Sequence, residues 1–462
     1  MKKEFLELRQ SLLFKTAVGN FVAECGNMRD SFSKEFADAT EERKSEIADI
    51  ISEISIDMQS YILRWHLQKL EDNEIVETTI IKEEVSKNLD LLALWGYEDK
   101  VQYVKNEIAS VERSNQLKIS KMTDKGIINN RLGNDAAYGL TDAIRRGTCL
   151  VTTNPVMINQ LTKDESEKMT KIRDRIKKEN PDATPEMLVT LLTMEVVYES
   201  CIELWPIYES TDREMGYVSL QVSPKNSNNA EKMFDEVKFI YDELGKRLNG
   251  VPNLVFKVPA TEASLDTVGK MTKMGIGVNI TGSCSVAQHI ALAEVIEEGN
   301  TKASFLTMMS GRLDDRIAEE LEEKGIENAK EVAKKASELI VKRSYNTLYG
   351  DRDYKKSVLL IASLRGPWNI DAAIANKKSP IFITCFPPKA QEYDSIEREI
   401  ISTIDDEISQ DIIDTLMNSK IFRQGYEVDG LTKEEFATFF PVQVTLESFC
   451  KQYDETIEFV SK

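Results

Sequence analysis

This chain has few histidines and no closely spaced cysteines. Its 462 residues include two histidines, His66 and His289, which share no metal-ligand spacing. A histidine-rich metal centre or a Ser-His-Asp triad is therefore hard to build. The six cysteines lie far apart with no CxxC pair, so neither a zinc site nor a disulfide framework is indicated.

Long apolar runs are also absent. Nowhere do about 18 apolar residues follow one another, which a membrane-spanning helix would need. The start, MKKEFLELRQSLLF, has apolar residues at helical spacing with charges between them rather than a continuous apolar signal segment. We therefore predict neither export nor membrane insertion, and expect a cytoplasmic protein.

Basic charge is scarce relative to acidic charge. The formal net charge is -19 and the pI is near 4.9, which argues against nucleic acid or anionic membranes as partners. Any anionic substrate must then bind at a local basic site. Apolar residues make up 41% and charged residues 30% of the chain, a composition typical of helix-rich globular proteins.

The first 120 or so residues have a helical pattern. Apolar residues recur at three-to-four spacing between acidic ones: Ile47, Ile50, Ile51, Ile54, Met58, Tyr61, Ile62 and Trp65. We interpret this stripe as a helix face packed on its neighbours, in preference to a cofactor or partner groove. Residues 1–120 are thus predicted to be an all-α extension.

After about residue 130, short apolar runs alternate with amphipathic helices. The predicted strands are residues 149–153, 216–222, 254–258, 277–280, 302–307, 358–361 and 380–384, with a weaker eighth just before Asp135. Predicted helix starts include Thr184, followed by Pro185, and Ser227. Since a glycine-rich first turn is absent, we favour an α/β protein with a closed (β/α)₈ barrel over an open doubly wound sheet. The barrel is assigned to residues 121–385, and residues 386–462 to C-terminal helices.

One predicted strand contains a lysine. Lys257 interrupts the apolar run Leu254–Pro259, and parallel packing should bury it. Desolvation lowers the pKa of a lysine from about 10.4 toward neutrality and makes its amine nucleophilic, as imine formation with a ketone requires. A lysine that reaches solvent at the strand end, or that pairs with a carboxylate, is the structural alternative.

Five short motifs occur in order at the ends of the predicted strands. They are ValThrThrAsnPro at 151–155, LysValProAla at 257–260, AsnIleThr at 279–281, SerGlyArgLeuAspAsp at 310–315 and AlaSerLeuArg at 362–365. Each is similar to a strand-end motif of the transaldolase family. On these motifs, most of residues 130–462 resemble that family, whereas the resemblance does not cover the N-terminal extension.

The resemblance implies a metal-free and cofactor-free class I mechanism. Lys257 would form the imine with a ketose, Asp135 would move the proton of the C4 hydroxyl, and Thr281 would position a catalytic water. Asn154 and Asn279 would hydrogen-bond the dihydroxyacetone unit. For both asparagines a purely structural tie remains open, as does helix capping for Asp135, and Thr152 is expected to support the site.

The phosphate end of the substrate is assigned to Arg312, Ser363 and Arg365. Two guanidinium groups offer forked donors that match phosphate oxygens, and the serine adds a hydroxyl. This trio would supply the local basic site that the acidic chain requires. A surface ion pair is the alternative role for either arginine.

Two positions depart from the family pattern. Transaldolases present a glutamate on the third strand, whereas this chain has Gln221, whose amide cannot accept a proton near neutral pH. The related fructose-6-phosphate aldolases carry glutamine there, but they hold the water with a sixth-strand tyrosine where this chain has Met309. Thr307 replaces the usual serine and preserves the hydroxyl.

The resemblance implies a transaldolase of the pentose phosphate pathway. It would move a dihydroxyacetone unit from fructose 6-phosphate or sedoheptulose 7-phosphate to an aldose phosphate. One alternative is a lyase of the fructose-6-phosphate aldolase kind, and another is a weakly active barrel that serves as a protein-binding scaffold.

The N-terminal helices are a candidate surface for a homo-oligomer or a protein partner. Phe449 and Tyr453, on the last predicted helix, either pack in the core or approach the substrate.

Overall fold

The N-terminal part of the chain is helical, as predicted. The computed structural model of the protein describes residues 2–60, 76–376 and 379–462. Within these ranges, six α-helices precede the first strand: α1 (Lys2–Arg9), α2 (Phe21–Asp38), α3 (Glu41–Met58), α4 (Thr78–Leu94), α5 (Glu98–Arg113) and α6 (Asn115–Asp124). The α3 part of the predicted apolar stripe is buried. Tyr61, Ile62 and Trp65 of that stripe, and His66, lie outside the described residues.

Eight parallel strands close into a barrel in chain order, which confirms the predicted (β/α)₈ fold. They are β1 (Asn130–Asn134), β2 (Thr148–Thr152), β3 (Tyr217–Gln221), β4 (Leu254–Pro259), β5 (Gly277–Thr281), β6 (Ser304–Met309), β7 (Val358–Ala362) and β8 (Ile381–Cys385). Almost every strand residue is buried, because helices cover the outside and side chains fill the inside of such a barrel.

The helices that follow the strands cover the barrel. They are α7 (Leu140–Arg145), α8 (Pro155–Asp164), α9 (Ser166–Glu179), α10 (Pro185–Ser210), α11 (Ala230–Leu248), α12 (Glu262–Lys273), α13 (Val286–Glu297), α14 (Ser310–Glu323), α15 (Ala329–Ala333), α16 (Ala336–Tyr345) and α17 (Pro367–Asp371). Thr184 caps α10 as predicted, since its hydroxyl accepts a hydrogen bond from the Met187 amide at 3.3 Å. The predicted start at Ser227 is wrong: Ser227 ends a 3₁₀ turn, and the Asn229 side chain caps α11.

The C-terminal helices pack against the barrel. They are α18 (Pro387–Asp394), α19 (Gln410–Leu416), α20 (Lys420–Tyr426) and α21 (Phe440–Ser461), and α21 lies against α8 and α10. A helix needs roughly 20 apolar residues to cross a bilayer, and none in the described part of the chain has that length and apolarity.

A buried ion cluster joins the N-terminal helices to the barrel. The Asp57 carboxylate, at the end of α3, accepts hydrogen bonds from Arg9 Nε at 2.8 Å and from Arg145 Nε at 2.7 Å. All three side chains are almost completely buried. Burial alone would lower the pKa of Arg145, but Asp57 and Glu53 outweigh it and raise that pKa. One cluster of buried apolar side chains also runs from the N-terminal helices into the barrel, so the extension and the barrel share a core.

We predict that Asp57→Asn destabilises the whole described fold. Removal of one partner of a buried ion pair typically costs about 3–5 kcal/mol, because it leaves an uncompensated buried charge, and here two guanidinium groups each lose one carboxylate partner. Urea unfolding measures the change. Asp49→Asn is the matched control on α3, since Asp49 pairs with Lys100 at a partly exposed site and should cost less than about 1 kcal/mol. Equal effects of the two substitutions would contradict the prediction.

Candidate active site

The carboxyl ends of β3 to β6 bring five predicted site residues side by side. Backbone pairing places Gln221 of β3 next to Lys257 of β4, and Lys257 next to Asn279 of β5. The pairing of β5 with β6 places Thr281 next to Thr307. Because paired residues of parallel strands point to the same face, these side chains share one end of the barrel.

Lys257 is buried and has no charged partner of its own among the described residues. The residue is only 5% exposed. Its amine donates one hydrogen bond, of 3.3 Å, to the carbonyl of Thr153. Burial lowers the pKa of Lys257, the charge of Asp135 opposes this, and Arg312 adds to it. The Phe449 ring of α21 has its centroid 6.0 Å from the amine. This environment favours the neutral, nucleophilic amine.

A chain of hydroxyls and amides fixes Asn279 beside the lysine. The Asn279 amide nitrogen donates to Ser219 Oγ at 2.9 Å, and its amide oxygen accepts from the Thr307 hydroxyl at 2.5 Å. Asn279 is completely buried. Thr281 lies beyond it, and its hydroxyl contacts the Met309 sulphur at 3.8 Å. The amide of Asn279 is thus held in one orientation by two strands.

Asp135 and Thr152 meet at the neighbouring edge of the barrel mouth. The Thr152 hydroxyl donates to the Asp135 carboxylate at 2.5 Å, and the Asp135 amide donates to the Cys385 carbonyl of β8 at 2.9 Å. The charge of Asp135 favours the protonated form of Lys257 and so opposes the effect of burial on the pKa of that lysine. The contact is consistent with the supporting role predicted for Thr152.

Asn154 takes part in local structure as well as lying near the lysine. Its side-chain oxygen accepts from the Met157 amide at 3.2 Å and so caps α8, which begins with Pro155. Asn154 therefore makes the structural tie that was left open as an alternative to substrate binding. Its half-buried side chain still adjoins Thr153, whose carbonyl binds the amine.

Gln221 faces two environments. Its amide nitrogen donates to the Lys257 carbonyl at 3.0 Å, whereas its buried amide oxygen has no partner among the described residues. A small cavity beside it is also lined by Glu236 and Tyr453. Glu236 accepts from the Ser223 amide at 3.0 Å and the Thr190 hydroxyl at 3.2 Å, and burial raises its pKa. Sequence reasoning did not single out Glu236, although it lies on the apolar face of α11.

The three residues of the predicted phosphate site lie together at the ends of β6 and β7. Arg365 Nη1 donates to the carbonyl and hydroxyl oxygens of Ser363 at 3.2 and 3.3 Å, and Arg365 also pairs with exposed Asp315. Arg312 donates to the Val444 carbonyl of α21 at 3.4 Å. Burial and the charge of Arg365 lower the pKa of Arg312. Two neighbouring guanidiniums, one of them half-buried, make a site that an anion would stabilise.

His289 has a structural environment. Its ring nitrogens lie 2.7 Å from Ser344 Oγ and 2.8 Å from the Ser283 carbonyl. Burial lowers its pKa to about 4, so it stays neutral and fully hydrogen-bonded at ordinary pH.

These features define a (β/α)₈-barrel protein built around a buried lysine at the carboxyl ends of its strands, with a pair of arginines on the same rim. The chain belongs to the transaldolase/fructose-6-phosphate aldolase family, whose sequence model matches residues 140–456. The match includes Lys257 and the arginine pair. It begins after Asp135 and does not include the N-terminal helices.

Curated relatives carry the name transaldolase. One from Helicobacter pylori is 31% identical over 170 residues, 37% of this chain and 50% of the relative. One from Neisseria meningitidis serogroup C is 26% identical over 200 residues, 40% and 55% of the two chains. Transaldolase 2 of a Nostoc species is 25% identical over 227 residues, 46% and 58%. The chain thus spans about half the length of the curated relatives it matches.

We predict that Lys257→Met stabilises the fold at pH 7. A buried polar group with incomplete hydrogen bonding costs about 1–3 kcal/mol, and methionine fills the same space without that cost. The pKa of Lys257 is lower in the folded than in the unfolded state, so the unfolded chain binds more protons and the penalty fades as pH rises toward 10.5.

Urea unfolding at pH 7 and pH 10 measures this effect, and the gain should shrink at the higher pH. Lys273→Met, at an exposed residue of α12, is the control and should change stability by less than about 0.5 kcal/mol. A Lys257→Met protein less stable than its parent at pH 7 would refute this account of the lysine environment.

Proposed function

We propose that the protein is a transaldolase that uses Lys257 as its covalent catalyst. The observation that carries the proposal is the buried amine of Lys257, whose pKa is lowered by desolvation, at the same barrel end as Arg312 and Arg365. A ketose phosphate would place its carbonyl at the amine and its phosphate at the guanidiniums.

In the first step, the neutral amine attacks C2 of the ketose, and loss of water with uptake of one proton from solvent forms a protonated imine. This cation accepts the electron pair of the C3–C4 bond when that bond breaks. The proton of the C4 hydroxyl goes to Asp135, whose orientation is set by Thr152, and an aldose phosphate departs. The lysine-bound dihydroxyacetone unit then attacks an acceptor aldehyde, or water releases it.

The other predicted residues would hold the substrate. Asn279, fixed by Ser219 and Thr307, would bind hydroxyls of the dihydroxyacetone unit together with Asn154. Thr281 would position the water that leaves and returns at C2. Arg312, Ser363 and Arg365 would bind the phosphate through charge-assisted hydrogen bonds. Fructose 6-phosphate or sedoheptulose 7-phosphate as donor, the pentose phosphate pathway and a cytoplasmic location remain predictions.

One observation favours a second candidate, a lyase that releases free dihydroxyacetone. Gln221 lies beside Lys257, where a carboxylate would otherwise exchange protons with water, and an amide does not accept a proton near neutral pH. Met309 argues against this candidate, because it contacts the Thr281 hydroxyl where the aldolases have a tyrosine that holds the water. The scaffold alternative is disfavoured by the packing around Lys257, since a buried unpaired amine lowers stability and serves no packing purpose.

We predict that borohydride reduction with fructose 6-phosphate traps a dihydroxyacetone- or ketose-sized adduct on Lys257. Peptide mass spectrometry identifies the modified residue, and the Lys257→Met protein should give no adduct. The yield should rise with pH to a plateau, with a midpoint below the ordinary lysine pKa, because only the neutral amine attacks. Absence of an adduct with every sugar phosphate tried would sink the imine mechanism and favour the scaffold.

Transferase and lyase are separated by the fate of dihydroxyacetone. With fructose 6-phosphate alone, a transferase should release at most about one equivalent per site, whereas a lyase should release it continuously. Addition of erythrose 4-phosphate should then accelerate a transferase and yield sedoheptulose 7-phosphate. Continuous release that the acceptor does not change would assign the lyase.

A further inference from the structure

Asp314 is a buried acid directly behind the arginine pair. It lies on α14, two residues after Arg312, and is 6% exposed. Within the described ranges it forms no salt bridge. Its carboxylate instead accepts hydrogen bonds of 2.9 Å from both the amide and the hydroxyl of Ser337, at the start of α16. Burial raises the pKa of Asp314 to about 8. Burial of a carboxyl group without a cation is costly. The hydrogen-bond partners of Asp314 therefore indicate which part of the structure it positions.

Asn369 connects Asp314 to the backbone of the phosphate site. Its amide nitrogen donates to the Asp314 carboxylate at 3.5 Å. Its amide oxygen accepts from the backbone amides of Arg365 and Gly366, at 2.9 and 3.4 Å. Asn369 is itself buried. The Asp314 carboxyl group is therefore linked through the Asn369 side chain to the backbone of Arg365.

A close backbone contact holds the same segment from the other side. The Gly311 amide donates to the Ser363 carbonyl at 3.1 Å, and a Cβ on Gly311 would lie 2.4 Å from that oxygen and 2.6 Å from Arg365 Cζ. Ser363 has a φ of 58°, a left-handed conformation that non-glycine residues adopt only when their surroundings enforce it. The relative positions of Arg312 and Arg365 are thus set by contacts behind them.

We propose that Asp314 is a positioning residue which, through Asn369, sets the spacing of the Arg312 and Arg365 guanidiniums and so makes the protein selective for phosphorylated ketoses. This inference rests on the proposed function. Asp314 lies behind the phosphate end and has no contact with Lys257. Its loss should therefore weaken binding of the phosphate group and spare imine formation with a ketose that has no phosphate.

The test uses Asp314→Asn in the full chain. Asparagine keeps the size of the side chain but offers one acceptor oxygen where two are used, so at least one of the donors from Ser337 or Asn369 loses its partner. The readout is the ketose concentration that gives half-maximal borohydride-trapped adduct on Lys257, measured with fructose 6-phosphate and with dihydroxyacetone.

For fructose 6-phosphate we expect this concentration to rise roughly 10- to 100-fold, the range for one buried hydrogen-bonding group left without its partner. For dihydroxyacetone it should stay within about threefold. The control is Glu319→Gln, at an exposed residue of the same helix that pairs with Arg316, and it should behave like the parent with both ketoses. An equal rise for both ketoses would show that Asp314 only supports the fold, and no rise for either would also overturn the proposal.

A second variant keeps the inference testable if Asp314→Asn does not fold. Asn369→Ala removes the same link at its other end and should give the same selective loss, together with weaker competition by inorganic phosphate. Loss of dihydroxyacetone trapping in this variant would contradict the proposal. Failure of the proposed function is a different result, because then the parent protein itself forms no adduct on Lys257 with either ketose.

Discussion

The candidate active site depends on the burial of one amine. Lys257 occupies an inward position of a strand whose other residues are all buried, and a carbonyl oxygen is its only hydrogen-bond partner among the described residues. Water would stabilise an ammonium group, and the barrel withholds it. The neighbouring side chains are then fixed to one another rather than to the lysine: Asn279 to Ser219 and Thr307, and Asp135 to Thr152. This leaves the amine without a carboxylate hydrogen-bonded to it among the described residues.

For a phosphorylated substrate, the same barrel end would offset the acidic charge of the chain. With a net charge of -19, the protein as a whole repels a phosphorylated sugar. Arg312 and Arg365 concentrate positive charge at this end of the barrel, and the charge of Arg365 lowers the pKa of Arg312. A phosphate dianion between the two guanidiniums would relieve the repulsion between them. Under the proposed function, local arrangement rather than total charge decides what the mouth of the barrel attracts.

Much of the fold could be predicted from sequence because seven strands are short apolar runs between helices. β1 was the weakest prediction because its residues are polar, and the structure gives the reason. Asn130 is buried and uses its amide to bond the carbonyl of Ala373 and the amide of Ala375, so this strand contributes hydrogen bonds where others contribute apolar packing. The start of α11 was predicted at the wrong residue because serine and asparagine cap helices equally well.

The motif residues were found because each ends a strand, and the structure brings them to one end of the barrel. Their chemical roles stay predictions. Asp314 and Glu236 were not identified because their partners, Ser337, Asn369, Thr190 and Ser223, come from distant segments. A signal was nevertheless present: each is an acidic residue on the apolar face of an amphipathic helix, and an acid there must find partners in the fold. The domain boundaries, too, stay predictions.

The shared carboxylate of Asp57 has an evolutionary consequence. Arg145 belongs to the barrel, yet its buried guanidinium is neutralised by Asp57 and Glu53 of the N-terminal helices. A barrel without those helices would have to carry another residue at this position, or expose the arginine to water. The extension and Arg145 are therefore expected to be inherited together, and an arginine at this point of the first βα unit becomes a marker for the presence of the extension in related sequences.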